Sequence, residues 1–203
     1  MKRFFTLISI SLFSLTASSV PKLSSFPSAT ATIFLDFDGH TVQSTVWNGG
    51  ASFYCAESGL TEAQMTEAFY RVAEDYRPFN VNITTDSTVF LAAPLNRRVR
   101  IIITTTSAWC PGVGGVAYVG SFTWGDDTPG FVFSDRLGPF SPKMVGEACS
   151  HESGHTVGLA HQSRYGANCS TPEEQYNSGA GSGETGWSPI MGNSYYRNMS
   201  NWN

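Results

Sequence analysis

Charge is scarce in this chain, and it forms no long run of one sign. Asp, Glu, Lys and Arg make up 14% of the 203 residues, and the 12 Lys and Arg form no basic stripe. That excludes the electrostatic footprint of a nucleic-acid binder. Long apolar runs are missing too. Residues 4–17 form the nearest approach, yet Ser and Thr interrupt them and the run is too short to span a bilayer. Lys2 and Arg3 precede that run, and Ala17, Ser18 and Ser19 follow it, which is the pattern of an export signal over residues 1–19. The mature chain is therefore expected to be secreted, extracellular or periplasmic, with no membrane partner.

Cysteine is also sparse. Cys55, Cys110, Cys149 and Cys169 allow two disulfides in an oxidising compartment and three ways of pairing them. A Cys149–Cys169 bridge is weakly preferred, because it would tie the start of the ligand helix described next to the loop beyond His161. Only one of the four lies near the histidines, so a cysteine-ligated metal is not expected.

Histidine occurs four times, yet three of the four stand in one short run: His151-Glu152-Ser153-Gly154-His155-Thr156-Val157-Gly158-Leu159-Ala160-His161. On a helix, positions four apart differ by about 40° and rise about 6 Å, so His151 and His155 share a face. Gly158 follows, where a helix can end in a positive φ at little steric cost. The chain can then turn and bring His161 to the same ion. Three neutral imidazoles leave one coordination position open, as in a catalytic rather than a structural zinc site. Glu152 adjoins the first ligand without entering its plane, which makes it the candidate general base.

With these residues the chain resembles the metzincin zinc metallopeptidases, whose motif is H-E-x-x-H-x-x-G-x-x-H followed by a Met-turn. Ser188-Pro189-Ile190-Met191-Gly192 is similar to that turn. The segments 76–86 and 114–118 also resemble secreted bacterial members. The resemblance implies one catalytic Zn2+ held by His151, His155 and His161, with Met191 as an apolar floor and not a ligand. It further implies an endopeptidase acting on protein or peptide substrates, in which zinc activates water and Glu152 moves the proton. Tyr195 and Tyr196 are candidate transition-state donors, since some members place a Tyr after the Met. The implied fold is α+β: a twisted mixed β-sheet with a backing helix and an active-site helix, then a small irregular C-terminal sub-domain. The expected boundaries are 20–158 and 159–203.

The rest of the chain is read to the same plan. Residues 31–37 have strand composition. Met65, Phe69, Val72 and Tyr76 recur at helical spacing behind a Thr61 N-cap, giving a helix over 61–76 that Pro78 ends. Strands are expected at 81–85, 99–105, 114–122 and 130–134, and the ligand helix at 142–159. A bound peptide would add to an exposed strand edge supplied by 114–122 or 130–134.

Residues 162–187 are polar and rich in Gly and Ser, so they should form an irregular lower lip. The glycines of 179–183 are read as loop, not as a phosphate cradle. Asp36, Asp38 and His40 are read as a strand-ending turn, with calcium possible there but unsupported; Asp126 and Asp127 are read as loop charges. Few residues precede the first strand after the export signal, too few for a large folded pro-domain. Those after Met191 carry no helical pattern, where the group usually ends in a helix. A monomer is expected. Two other readings remain open from the sequence: a catalytically inactive zinc-binding or adhesion module on the same fold, and a metal-dependent hydrolase of a non-peptide bond.

Overall fold

The computed structural model describes residues 19–202, so the expected export signal over 1–19 lies outside the described residues except for Ser19. In chain order the elements are β1 (Ala31–Asp36), β2 (His40–Val42), β3 (Phe53–Cys55), α1 (Glu62–Asp75), β4 (Val81–Thr84), α2 (Ser87–Ala92) and β5 (Arg98–Thr104). They continue with β6 (Gly115–Val116), β7 (Gly130–Phe133), α3 (Pro142–Thr156), β8 (Arg164–Tyr165), β9 (Pro172–Glu174), β10 (Trp187–Pro189) and β11 (Met199–Asn201). This is an α+β architecture.

Five strands form one mixed sheet in the order β4-β1-β5-β7-β6. The first four run parallel and β6 closes the sheet antiparallel to β7. Parallel strands need both faces covered. β5 is accordingly rich in β-branched residues, interrupted by Arg100, with Ile101, Ile102 and Ile103 fully buried. One face packs on α1 and α3 around Ile33, Leu35, Phe69, Val72 and Val145. The other is covered by the β2-β3 hairpin, where Val42 and Cys55 meet Ile102, Phe131 and Phe133.

Thr61 caps α1 as expected: its hydroxyl accepts from the Gln64 amide, and the Gln64 side chain accepts from the Thr61 amide in return. Helix α1 turns Met65, Ala68, Phe69 and Val72 inward. It approaches α3 closely at Gly146, where an added Cβ would stand 3.0 Å from Arg71 Cβ. The Tyr76 hydroxyl then donates to the Ser150 carbonyl at 3.1 Å, which ties α1 to the turn carrying His151. Segment 21–26 runs along the outer edge of β4, where the Thr85 amide donates to the Leu23 carbonyl and the Leu23 amide to the Thr85 hydroxyl, so that sheet edge is covered.

Several expectations are corrected. The strand read over 114–122 is only two residues long; the chain is irregular from Ala117, and Gly120 at φ +80 leads into a 3₁₀ turn. The helix read over 142–159 stops at Thr156, for a reason given below. Helix α2 was not anticipated; Asp86 caps it by accepting from the Thr88 amide at 2.9 Å. No disulfide forms. Cys149 is buried on α3 while Cys169 is exposed on a surface turn, so the Cys149–Cys169 bridge is absent and all four thiols are free. The Asp36 carboxylate pairs with Arg100 instead of opening toward a cation. Asp127 bonds Arg98 at 3.2 Å, and Asp126 accepts from the Thr128 amide. Among the described residues, no helix is long and apolar enough to cross a membrane.

Candidate metal centre

Helix α3 starts with Ser141 as its N-cap and Pro142 in the first turn. It ends in a Schellman motif. The Leu159 amide donates to the Gly154 carbonyl at 3.0 Å and the Gly158 amide to the His155 carbonyl at 2.9 Å, with Gly158 at φ +102. The helix cannot run to 159 because Gly158 is left-handed. That reversal brings His161 back onto the helix face.

His151, His155 and His161 converge, with one ring nitrogen of each within 4.8 Å of the others. Among the described residues they are the one group of three or more His, Cys, Asp or Glu with a metal-like arrangement. Nδ1 of His151 lies 2.8 Å from the Ile190 carbonyl, and Nδ1 of His155 lies 2.8 Å from the Leu159 carbonyl. A carbonyl only accepts, so both Nδ1 atoms carry the proton and each Nε2 presents a lone pair toward the other imidazoles. Nε2 of His155 and Nε2 of His161 are 3.1 Å apart. Two ligands on one tetrahedral zinc, each at about 2.0–2.1 Å, stand about 3.3 Å apart, so the donor set fits that ion. Burial pushes His151 down to about 4, and burial together with His155 lowers His161, so both rings are neutral at pH 7, the form that ligates.

Glu152 lines the same cavity as the three imidazoles. It is buried, and its Oε2 has no hydrogen-bond partner. Desolvation raises its carboxyl to about 8. A cation at the imidazoles would oppose that rise by Coulomb attraction. Room for the carboxylate depends on Gly115 in β6, because a Cβ there would stand 2.7 Å from Glu152 Oε1 and from the Phe131 carbonyl. The adjoining Gly114 leaves space for the Tyr195 hydroxyl, which lies 3.0 Å from where its Cβ would be.

Met191 is buried beneath the helix. A Cβ on Gly154 would lie 2.5 Å from its Sδ, so the methionine fits under the ligand turn only because position 154 is glycine. The Met191 carbonyl accepts from the Gln162 amide at 2.8 Å, which fastens this turn beside His161.

The imidazoles open into a cavity of about 520 Å³ between β6 and the 192–195 segment. Tyr195 lines it, and burial raises its phenol well above the ordinary value, so the hydroxyl stays protonated and can donate. Tyr196 does not reach the site, since it is 80% exposed. Tyr176 does reach it: its ring centre is 4.2 Å from that of His161 and 6.3 Å from that of His151. Sequence reasoning missed Tyr176, which sits in an aperiodic stretch where no local pattern marks an inward residue. Of the two segments considered as a substrate edge, β7 is interior and β6 lies at the sheet edge against the cavity. No family model matches the chain, and no curated protein matches it in a sequence search.

Proposed function

We propose that this chain is a secreted zinc endopeptidase of the metzincin type. The observation that carries the reading is the convergence of three imidazoles, two held at Nδ1 by backbone carbonyls, beside a buried carboxylate that has an unpartnered oxygen. His151, His155 and His161 would hold the ion. When bound, zinc supplies Lewis acidity toward the scissile carbonyl and makes water acidic enough to attack near neutral pH.

Glu152 accepts the proton that the attacking water gives up and passes it to the leaving amine, so the products are two peptides and no acyl-enzyme forms. Tyr195 faces the same cavity with a protonated hydroxyl, suited to donating to the oxygen on which negative charge develops. The backbone of β6 lies at the rim and can pair with an extended peptide as an added strand. Gly114 and Gly115 bring that edge close to Glu152.

The test combines metal analysis of the purified protein with cleavage of casein or gelatin, with and without a chelator. One zinc per chain and chelator-sensitive cleavage are expected. Stoichiometric zinc without cleavage of either substrate would leave a binding module and remove the peptidase.

A further inference from the structure

Two of the three imidazoles are oriented through Nδ1 by a backbone carbonyl, Ile190 for His151 and Leu159 for His155. His161 differs. Among the described residues, its hydrogen-bond contact is through Nε2 to His155, and no protein acceptor meets its Nδ1. A ligating histidine ordinarily has its second nitrogen held by an acceptor, and losing that partner costs metal affinity. What His161 has instead is an aromatic neighbour: the Tyr176 ring packs on it at 4.2 Å between centres and 45° between planes.

The tyrosine is itself pinned from both sides. The preceding Gln175 carbonyl accepts from the Ser163 hydroxyl at 2.9 Å, and the following Asn177 amide donates to the Gln162 carbonyl at 2.9 Å. Asn177 is fixed again at its carbonyl, which accepts from the Asn193 amide and the Ser188 hydroxyl. Both flanks of Tyr176 are thus bonded to the residues directly after His161, so ring and imidazole are held in one frame.

We propose that Tyr176 is the positioning residue for the third imidazole, fixing the His161 ring by tilted ring packing where the other two use a carbonyl. The proposal rests on the zinc reading above. It makes the aromatic ring, and not the hydroxyl, the functional group. Zinc affinity of Tyr176→Ala, measured by competition with a chromophoric chelator, should fall about 10–100-fold. Tyr176→Phe should keep the affinity of the unmodified chain, and so should Tyr196→Ala as a control. In the metal-free protein, proton NMR should show His161 ring protons shifted upfield in the unmodified chain and in Tyr176→Phe, and relaxed in Tyr176→Ala.

Tyr176→Ala binding zinc as tightly as the unmodified chain overturns the proposal. So does Tyr176→Phe losing as much affinity as Tyr176→Ala, since the hydroxyl would then be the active group. An unmodified protein that takes up no zinc overturns the zinc reading itself. The NMR arm, which needs no metal, separates that failure from a missing ring contact.

Discussion

The sheet half of the chain and the segment after His161 are held together by different forces. From β1 to α3 the structure rests on burial: β5 is enclosed on both faces, and α1 and α3 close over one of them. In residues 162–202, by contrast, the buried positions all fall between 186 and 194. The rest is stitched by backbone bonds, such as Ala180 with Trp187, Met199 to Gly186 and Ile190 to Asn201. The candidate metal centre lies on the seam. The rigid half contributes His151, Glu152 and His155, and the stitched half contributes the Ile190 carbonyl, Met191, Tyr176 and Tyr195. Stability and metal chemistry should therefore respond to different substitutions.

The sharpest division comes at Glu152, which belongs to the rigid half but whose task is chemical. Glu152→Ala is expected to keep its zinc and lose peptide hydrolysis by about 10²–10⁴-fold. Turnover at the level of the unmodified chain, measured on a peptide library, would remove Glu152 from the base role. Deep in the sheet, Ile103 is 0% exposed, and Ile103→Ala should cost about 2–5 kcal/mol in urea unfolding. A much smaller loss would mean that burial does not carry that half.

Gly192 tests the stitched half. Any Cβ there runs into the Asn177 carbonyl, so Gly192→Ala should cost about 1–3 kcal/mol locally. It should appear as weakened zinc binding by chelator competition, with little change in the global unfolding midpoint. A large drop in that midpoint would show that the two halves unfold as one unit.

The smallest effect concerns Asp75. It accepts from the Ser150 hydroxyl at 2.6 Å, faces Ser200, and lies near Glu147 and Glu74. Burial raises its carboxyl to about 7. Because the folded value lies above the unfolded one, its contribution is complete below about pH 4 and fades as pH rises through about 7. Asp75→Asn should flatten the decline in stability between those limits, by at most about 1.4 kcal/mol per pH unit. An unchanged slope in thermal scans across that range would show that Asp75 does not titrate there.

Much of this arrangement was legible because it is local. Thr61 and Gln64 announce the start of α1, and the β-branched run of 99–105 announces the central strand. Gly158 is where only a residue tolerant of positive φ can turn the chain. The failures share one cause. Tyr196 looked equivalent to Tyr195, and adjacent side chains in an irregular segment point in different directions for reasons no spacing rule contains. Residues 114–122 carry strand-forming types, but only Gly115 and Val116 find partners on β7. Cys149 and Cys169 are near in sequence, yet one is core and the other surface.

By itself the sequence determined which three histidines converge, because helical periodicity and a left-handed glycine act over a few residues and need no partner. Which carbonyl orients each of the first two imidazoles, which tyrosine faces the third and how deeply Glu152 is buried were decided only in the tertiary structure. Those properties depend on contacts between α3 and a segment that folds back on it from residues far along the chain, and burial and ring packing exist only once both surfaces have met.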